Sequence, residues 1–190
     1  MFVLGLTGPI GSGKSTIAAY LQKEGYIWVE VDKIGHSFLQ VTSPVHSQIK
    51  ELFGTDSRAS IREQVFTYPG KLAELNCLVH PLIKEAVRLQ LADLEKTGVS
   101  RVLLDAALLY EIGLGELCDG VWGVSADTQQ IKSRMETKGW GRNIIDNVLK
   151  VQKDREFLQK NADVLIENNG SIEELRKSVL KEVEKAANSK

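Results

Sequence analysis

Phe2-Val3-Leu4-Gly5-Leu6-Thr7-Gly8-Pro9-Ile10-Gly11-Ser12-Gly13-Lys14-Ser15-Thr16 opens the chain and sets its architecture. Residues 2–7 are an apolar run without polar alternation, which reads as a strand buried on both faces. The run passes into Gly8–Ser15, a match to GxxxxGK[ST], and then into a predicted helix. Each fixed position has a mechanical reason. Glycines let the backbone curl so that successive N–H groups face a phosphate, and the helix N-terminus adds positive potential. Gly11, Ser12, Gly13 and Thr16 complete that cradle. Lys14 supplies a mobile ammonium for β- and γ-phosphates, and the Ser15 hydroxyl suits Mg²⁺. A glycine-rich turn that binds nothing is the plain alternative. Four fixed positions between a strand and a helix favour phosphate.

Four further apolar runs read as strands: Ile27–Val31, Arg101–Ala107, Gly120–Ser125 and Asp163–Glu167. Helical patterns separate them, so each connection is long enough to return to a parallel partner. The expected fold class is α/β, a five-stranded parallel sheet flanked by helices, in one domain spanning 1–190. Between Pro69 and Lys96, the residues Leu72, Leu75, Val79, Leu82, Ala86 and Val87 recur at helical spacing. Pro81 is expected to kink or split that helix near His80. Ser171 with Glu174 three positions on is a capping box, opening a helix whose apolar stripe is Ile172, Leu175, Val179 and Val183. Two excursions exceed a simple crossover: the helical 33–100, suited to binding a substrate, and 128–160 with Gly139-Trp140-Gly141, suited to a mobile lid.

Composition narrows the function classes. The 190 residues carry 24 Lys plus Arg against 25 Asp plus Glu, a net charge of −1, which argues against a nucleic-acid substrate. Cys77 and Cys118 are far apart and give neither a disulfide framework nor a CxxC pair. His36, His46 and His80 do not fall at zinc-ligand spacing. The N-terminal run has no basic region before it and no stretch reaches the roughly 18 apolar residues of a membrane span, so a cytoplasmic protein without a membrane partner is expected. No obligate protein partner is evident.

A phosphate loop alone leaves the reaction open. No NKxD-type guanine motif follows a later strand, since Asn168-Asn169-Gly170 lacks the Lys and Asp. No LSGGQ-like signature is present. Size and excursions favour a kinase, with a nucleotide-binding sensor as the rival class. Asp32 is expected at the C-terminal end of the second strand, where a carboxylate can accept a hydrogen bond from an acceptor hydroxyl, or else cap the next helix. Glu30 precedes it by two on the same face. Asp105 closes the third strand, as a support for metal-bound water or as a structural group. Lys132, Arg134, Lys138 and Arg142 form a basic run that either clamps transferring phosphates or is a solvated helix face. His80 reads by itself as a satisfied structural residue. Trp28, Trp122, Cys77 and Cys118 read as core or near-core residues, and His36 and His46 as surface or capping residues.

The order of these pieces resembles the dephospho-CoA kinase family over nearly the whole chain. The residues that carry the likeness are Gly5–Gly8 leading into the loop, Val31-Asp32 with Ile34, Leu52-Phe53-Gly54, Arg58, Leu75-Asn76, Val79-His80-Pro81-Leu82-Ile83, Asp105 with Leu108-Leu109 and Glu111, Gln152, and Ala162-Asp163-Val164 through Asn168 and Gly170-Ser171. The resemblance implies a P-loop kinase fold and ATP-dependent transfer to the 3′-hydroxyl of the dephospho-CoA ribose. It makes Asp32 the base and puts Thr7, Arg58, His80 and Leu108 near the acceptor. It places Arg134 and Lys138 in the lid and Asn168 near the adenine of ATP. Within the family pattern, Pro9 replaces a common Gly, Ala107 a Pro, Tyr110 a Phe and Lys138 an Arg.

Overall fold

The computed structural model describes residues 1–188, without the side chains of residues 66, 69 and 186–188; positions 189 and 190 of the expected domain lie outside the described residues. The chain divides into two compact units, one of residues 1–29 with those from 95 on, the other of residues 30–94.

The first unit is built on a five-stranded parallel sheet of order β2-β3-β1-β4-β5, from β1 (Phe2–Thr7), β2 (Ile27–Glu30), β3 (Arg101–Asp105), β4 (Gly120–Ser125) and β5 (Val164–Glu167). In register, Leu4 lies beside Leu103, Leu6 beside Trp122 and Val124 beside Ile166. The missing polar alternation has its reason here: the central strands β1, β3 and β4 are buried over most of their length. Helix α1 (Lys14–Lys23) packs on β3 and on the C-terminal helix α9 (Ile172–Asn188). Ile17, Leu21, Leu103, Trp122, Leu175 and Val179 belong to one cluster there. Burying such a side chain contributes about 1.5–3 kcal/mol. Between β4 and β5 the chain forms α6 (Thr128–Thr137), α7 (Arg142–Val151) and α8 (Arg155–Asn161).

The second unit is helical: α2 (Val31–Phe38), α3 (His46–Phe53), α4 (Arg58–Thr67) and most of α5 (Pro69–Lys96). Long donors satisfy its open helix ends. Gln64 Nε2 and Lys71 Nζ donate to the carbonyls of Phe53 and Leu52 at 3.0 and 2.7 Å, and Arg58 donates to the His36 carbonyl at 3.0 Å.

Several boundaries differ from the sequence expectation. β2 stops at Glu30 and β3 at Asp105, while β5 begins at Val164. Helix α5 is not split at Pro81. Leu75, Val79, Ile83, Val87 and Leu91 form a buried stripe at four-residue spacing, and exposed Pro81 lies off it. The one amide bond that proline removes does not outweigh that stripe. The capping box is present: Ser171 N–H donates to Glu174 Oε2 at 2.7 Å and Glu174 N–H to Ser171 Oγ at 3.2 Å. Ile172, however, is 63% exposed, because the first turn of α9 precedes its packed face. Cys77 is exposed rather than in or near the core. Burial pushes the Cys118 thiol up to about 12.

Candidate active site

The phosphate loop follows β1 and closes onto α1. Gly8 has φ 147°, and a Cβ there would stand 2.1 Å from the Val124 carbonyl oxygen, so the loop crosses the end of β4 without room for a side chain. Its carbonyls are engaged one after another. Lys14 Nζ donates to Gly8 O at 2.7 Å and to Pro9 O at 3.4 Å. Arg134 Nη1 donates to Gly11 O at 3.2 Å, and Asn168 Nδ2 to Ser12 O at 2.8 Å. Carbonyls held this way are not free to turn into the hollow of the loop, which leaves that hollow to N–H groups and to the first turn of α1. Within the loop the Ser12 hydroxyl is buried and has no hydrogen-bond partner. A buried hydroxyl without a partner is unfavourable, and a phosphate oxygen would satisfy it. Ser15 is exposed in the first turn of α1, Thr16 is half-buried and Thr7 is buried at the end of β1.

Gly13 joins the loop to the second half of the site. Its φ is 108°, and an added Cβ would stand 2.2 Å from Asn168 Nδ2. Gly13→Ala is therefore expected to displace Asn168 as well as strain the backbone. The variant should melt lower and lose most of its ATP binding, by thermal unfolding and calorimetric titration. Unchanged values in both would contradict the geometry.

Asn168 and Asn169, dismissed as a guanine motif, form a staple instead. Asn168 is 8% exposed; its N–H donates to Ser125 O at 2.8 Å, and its carbonyl accepts from Arg134 Nη2 at 2.9 Å. Asn169 exchanges two bonds with Asp127, its Oδ1 accepting from the Asp127 N–H and its Nδ2 donating to Asp127 Oδ1, and its carbonyl accepts from Gln130 Nε2. The turn after β5 is thereby tied to the start of α6 and the underside of the loop. On the other side of the loop, Gln152 Oε1 accepts from the Ile10 N–H at 2.9 Å. Sequence reasoning missed Gln130 and Asn169 as site residues and gave Gln152 no role. Uncharged amides leave no spacing signal when their partners are 39 to 142 positions away.

The basic run divides. Arg134 is half-buried and shared among Gly11 O, Asn168 O and Gln130 Oε1, with its Nε–H outside these bonds. Lys138 is the exposed C-cap residue of α6. Lys132 pairs with Asp146 and Arg142 with Glu136, so two of the four bases bind surface carboxylates. Ile131, Met135 and Ile145 form a small cluster with Ile10 and Trp140 packed against it. The loop apex is thus joined to the α6–α7 pair by apolar contact as well as hydrogen bonds.

Asp105 Oδ2 accepts from Trp28 Nε1 at 3.2 Å, which gives this carboxylate a structural partner; Leu108 is half-buried in the turn that follows. In the helical unit, Asp32 is not at a strand end. It is exposed in the first turn of α2, because β2 ends two residues earlier. Glu30 accepts from Lys33 at 2.6 Å. Arg58 is exposed at the start of α4, and His80 is half-buried in the middle of α5.

The family model for dephospho-CoA kinase matches residues 2–174. A dephospho-CoA kinase of Carboxydothermus hydrogenoformans is 32% identical over 187 residues, covering 94% of this chain and 91% of that protein. The crystal structure of TT1252 from Thermus thermophilus superposes with a TM-score of 0.77 at 31% identity, covering 95% of this chain and 97% of that one. Dephospho-CoA kinase from Campylobacter jejuni shares the fold with a TM-score of 0.69 at 20% identity, over 98% of both chains. With its loop, its staple and its helical unit all inside the matched residues, the chain belongs to the dephospho-CoA kinase family.

Proposed function

We propose that this chain transfers the γ-phosphoryl group of ATP to the ribose 3′-hydroxyl of dephospho-CoA, giving coenzyme A and ADP. The observation that carries this reading is the extent of the family match, which runs through the helical unit as well as the generic phosphate loop.

In this reaction the residues divide the work by charge and position. The loop amides from Gly11 to Thr16 and the Ser12 hydroxyl hold phosphate oxygens. Lys14 leaves Gly8 O and Pro9 O to meet the β- and γ-phosphates. Among the described residues no group of three or more His, Cys, Asp or Glu gathers as a metal site. Mg²⁺ keeps several waters and takes phosphate oxygens, so a single protein hydroxyl suffices, and Ser15 fits. The ion would supply charge neutralisation on the transferring phosphate. Arg134, through the N–H groups outside its present bonds, and Lys138 stabilise the charge that spreads over the γ-phosphoryl oxygens. Asn168 meets the adenine side of ATP while its Nδ2 holds the loop. Asp32 accepts the proton of the acceptor hydroxyl, and Thr7, Arg58, His80 and Leu108 bind the acceptor. Among the described residues no helix is long and apolar enough to cross a membrane. A cytoplasmic site of action is part of this proposal, with no membrane and no nucleic acid as partner.

The test is ADP release with ATP and, in turn, dephospho-CoA, AMP and pantetheine phosphate. Turnover is expected with dephospho-CoA; a preference for either other acceptor would overturn the reading. A second expectation concerns the lid. Trp140 packs on the α6–α7 cluster. In a variant lacking the other tryptophans, a non-hydrolysable ATP analogue should change its fluorescence as the lid closes and excludes water. A constant signal with binding confirmed by calorimetry would argue against closure.

A further inference from the structure

Asp127, Gln130 and Arg134 stand three and four residues apart at the start of α6, a spacing that puts them on one face of the helix. Each of them bonds the turn after β5. The Asp127 N–H donates to Asn169 Oδ1 at 2.8 Å, and Asn169 Nδ2 donates to Asp127 Oδ1 at 3.1 Å. Gln130 Nε2 donates to the Asn169 carbonyl and Arg134 Nη2 to the Asn168 carbonyl, both at 2.9 Å. Asp127 is the N-cap residue of α6, a position where an aspartate ordinarily accepts from the N–H groups of its own helix. Here its side chain makes no cap bond and is turned to Asn169 instead. The helix start is held by the turn, not by its own cap.

Gln130 links this turn to the phosphate loop. Its Oε1 accepts from Arg134 Nη2 at 2.9 Å while its Nε2 donates to Asn169 O. A reversed amide would set NH₂ against the guanidinium and oxygen against a carbonyl, so the two partners fix its orientation. Arg134 Nη2 is thereby held between two acceptors, Gln130 Oε1 and Asn168 O, with Nη1 on Gly11 O at 3.2 Å. The peptide that joins Gly11 to Ser12 is held at both ends, because the Ser12 N–H donates to Pro9 O at 3.2 Å. Helix α6 lies close against this peptide. A Cβ on Gly11 would stand 3.1 Å from Met135 Cγ and 3.3 Å from the Ile131 carbonyl oxygen.

We propose that Gln130 and Asn169 are positioning residues for ATP binding: Asn169 sets α6 in register on the turn after β5, Gln130 orients the Arg134 guanidinium, and Arg134 fixes the Gly11–Ser12 peptide of the phosphate loop. Both residues act through Arg134 and the loop rather than on the nucleotide. The inference rests on ATP occupying the loop, as proposed above, and not on the identity of the acceptor.

The test is calorimetric titration of Mg-ATP into the full chain and into Gln130→Met, Asn169→Ala, Arg134→Met and the double variant Gln130→Met/Arg134→Met, with the melting temperature of each. Gln130→Met keeps the length and neutrality of the side chain and removes both of its bonds. The wild-type titration tests the ATP reading by itself: without binding there, that reading fails and the proposal with it. With binding, Gln130→Met and Asn169→Ala are each expected to bind ATP about five- to tenfold more weakly. Arg134→Met should lose at least as much, and the double variant no more than Arg134→Met alone, since Gln130 acts through Arg134. A purely structural role would lower the melting temperature and leave ATP affinity intact. That result, or losses that multiply in the double variant, would overturn the proposal. Should Gln130→Met fail to fold, Asn169→Ala decides: its side chain is exposed, and wild-type ATP affinity there would separate the turn from the loop.

Discussion

Replacing Lys14 with alanine should remove turnover, a loss of at least ~10³-fold, and weaken ATP binding as well. Two separate effects combine. The first is loss of the ammonium proposed to meet the β- and γ-phosphates; removing one charged or preorganised donor from a transition state typically costs about 10²–10³ in rate. The second is specific to this loop. Lys14 Nζ donates to Gly8 O and Pro9 O, so the truncated variant also leaves two carbonyls without that donor at the loop entrance. Lys14→Met keeps the stem but makes neither contact, so methionine should be no better than alanine. Steady-state turnover and calorimetric ATP affinity, measured together, check this. Near-wild-type turnover in Lys14→Ala would remove the phosphate loop from the mechanism.

Asp32→Asn should lower turnover by about 10²–10⁴-fold, roughly 3–5 kcal/mol of barrier, and leave ATP affinity almost unchanged. Asparagine keeps the size and one acceptor oxygen but has no charge with which to take a proton. The structure narrows the field of substitutes. Glu30 is held by Lys33, and Asp105 accepts from Trp28. Asp32 is an exposed carboxylate in the first turn of α2, and the residue at the N-cap position of that helix is Glu30. A drop of less than about tenfold would mean that the proton goes elsewhere, and Asp105 would be the next carboxylate to replace.

The sheet was legible because burial on both faces leaves an unmistakable pattern. Phe2–Thr7 and Gly120–Ser125 have the predicted limits, being runs closed by a loop glycine and by a polar turn. Ends were less legible where no such punctuation exists. Val31 is as apolar as the strand before it, yet it begins α2, which moves Asp32 from a strand end into a helix. At Pro81 the local rule gave way to packing, since a stripe from Leu75 to Leu91 is worth more than one amide bond. The loop itself was legible residue by residue from Gly8 to Ser15. Its supports were not: Asn169, Gln130 and the hold of Gln152 on Ile10 depend on contacts between distant segments, which no spacing records. The basic run shows the same limit. Four similar cations in one run differ in their partners, and only the fold shows that Arg134 grips the loop while Lys132 and Arg142 bind carboxylates on the surface.

The most direct measurement is of the product. Dephospho-CoA and ATP are incubated with the chain and Mg²⁺, and the phosphorylated nucleotide is isolated and examined by phosphorus-31 NMR with proton coupling. The expected result is one new phosphate monoester coupled to the ribose 3′ proton, formed in step with one ADP per transfer. ATP hydrolysed without a phosphorylated product, or a phosphate on the 2′ position or the pantetheine arm, would contradict the assignment of this chain's loop and helical unit to 3′ transfer.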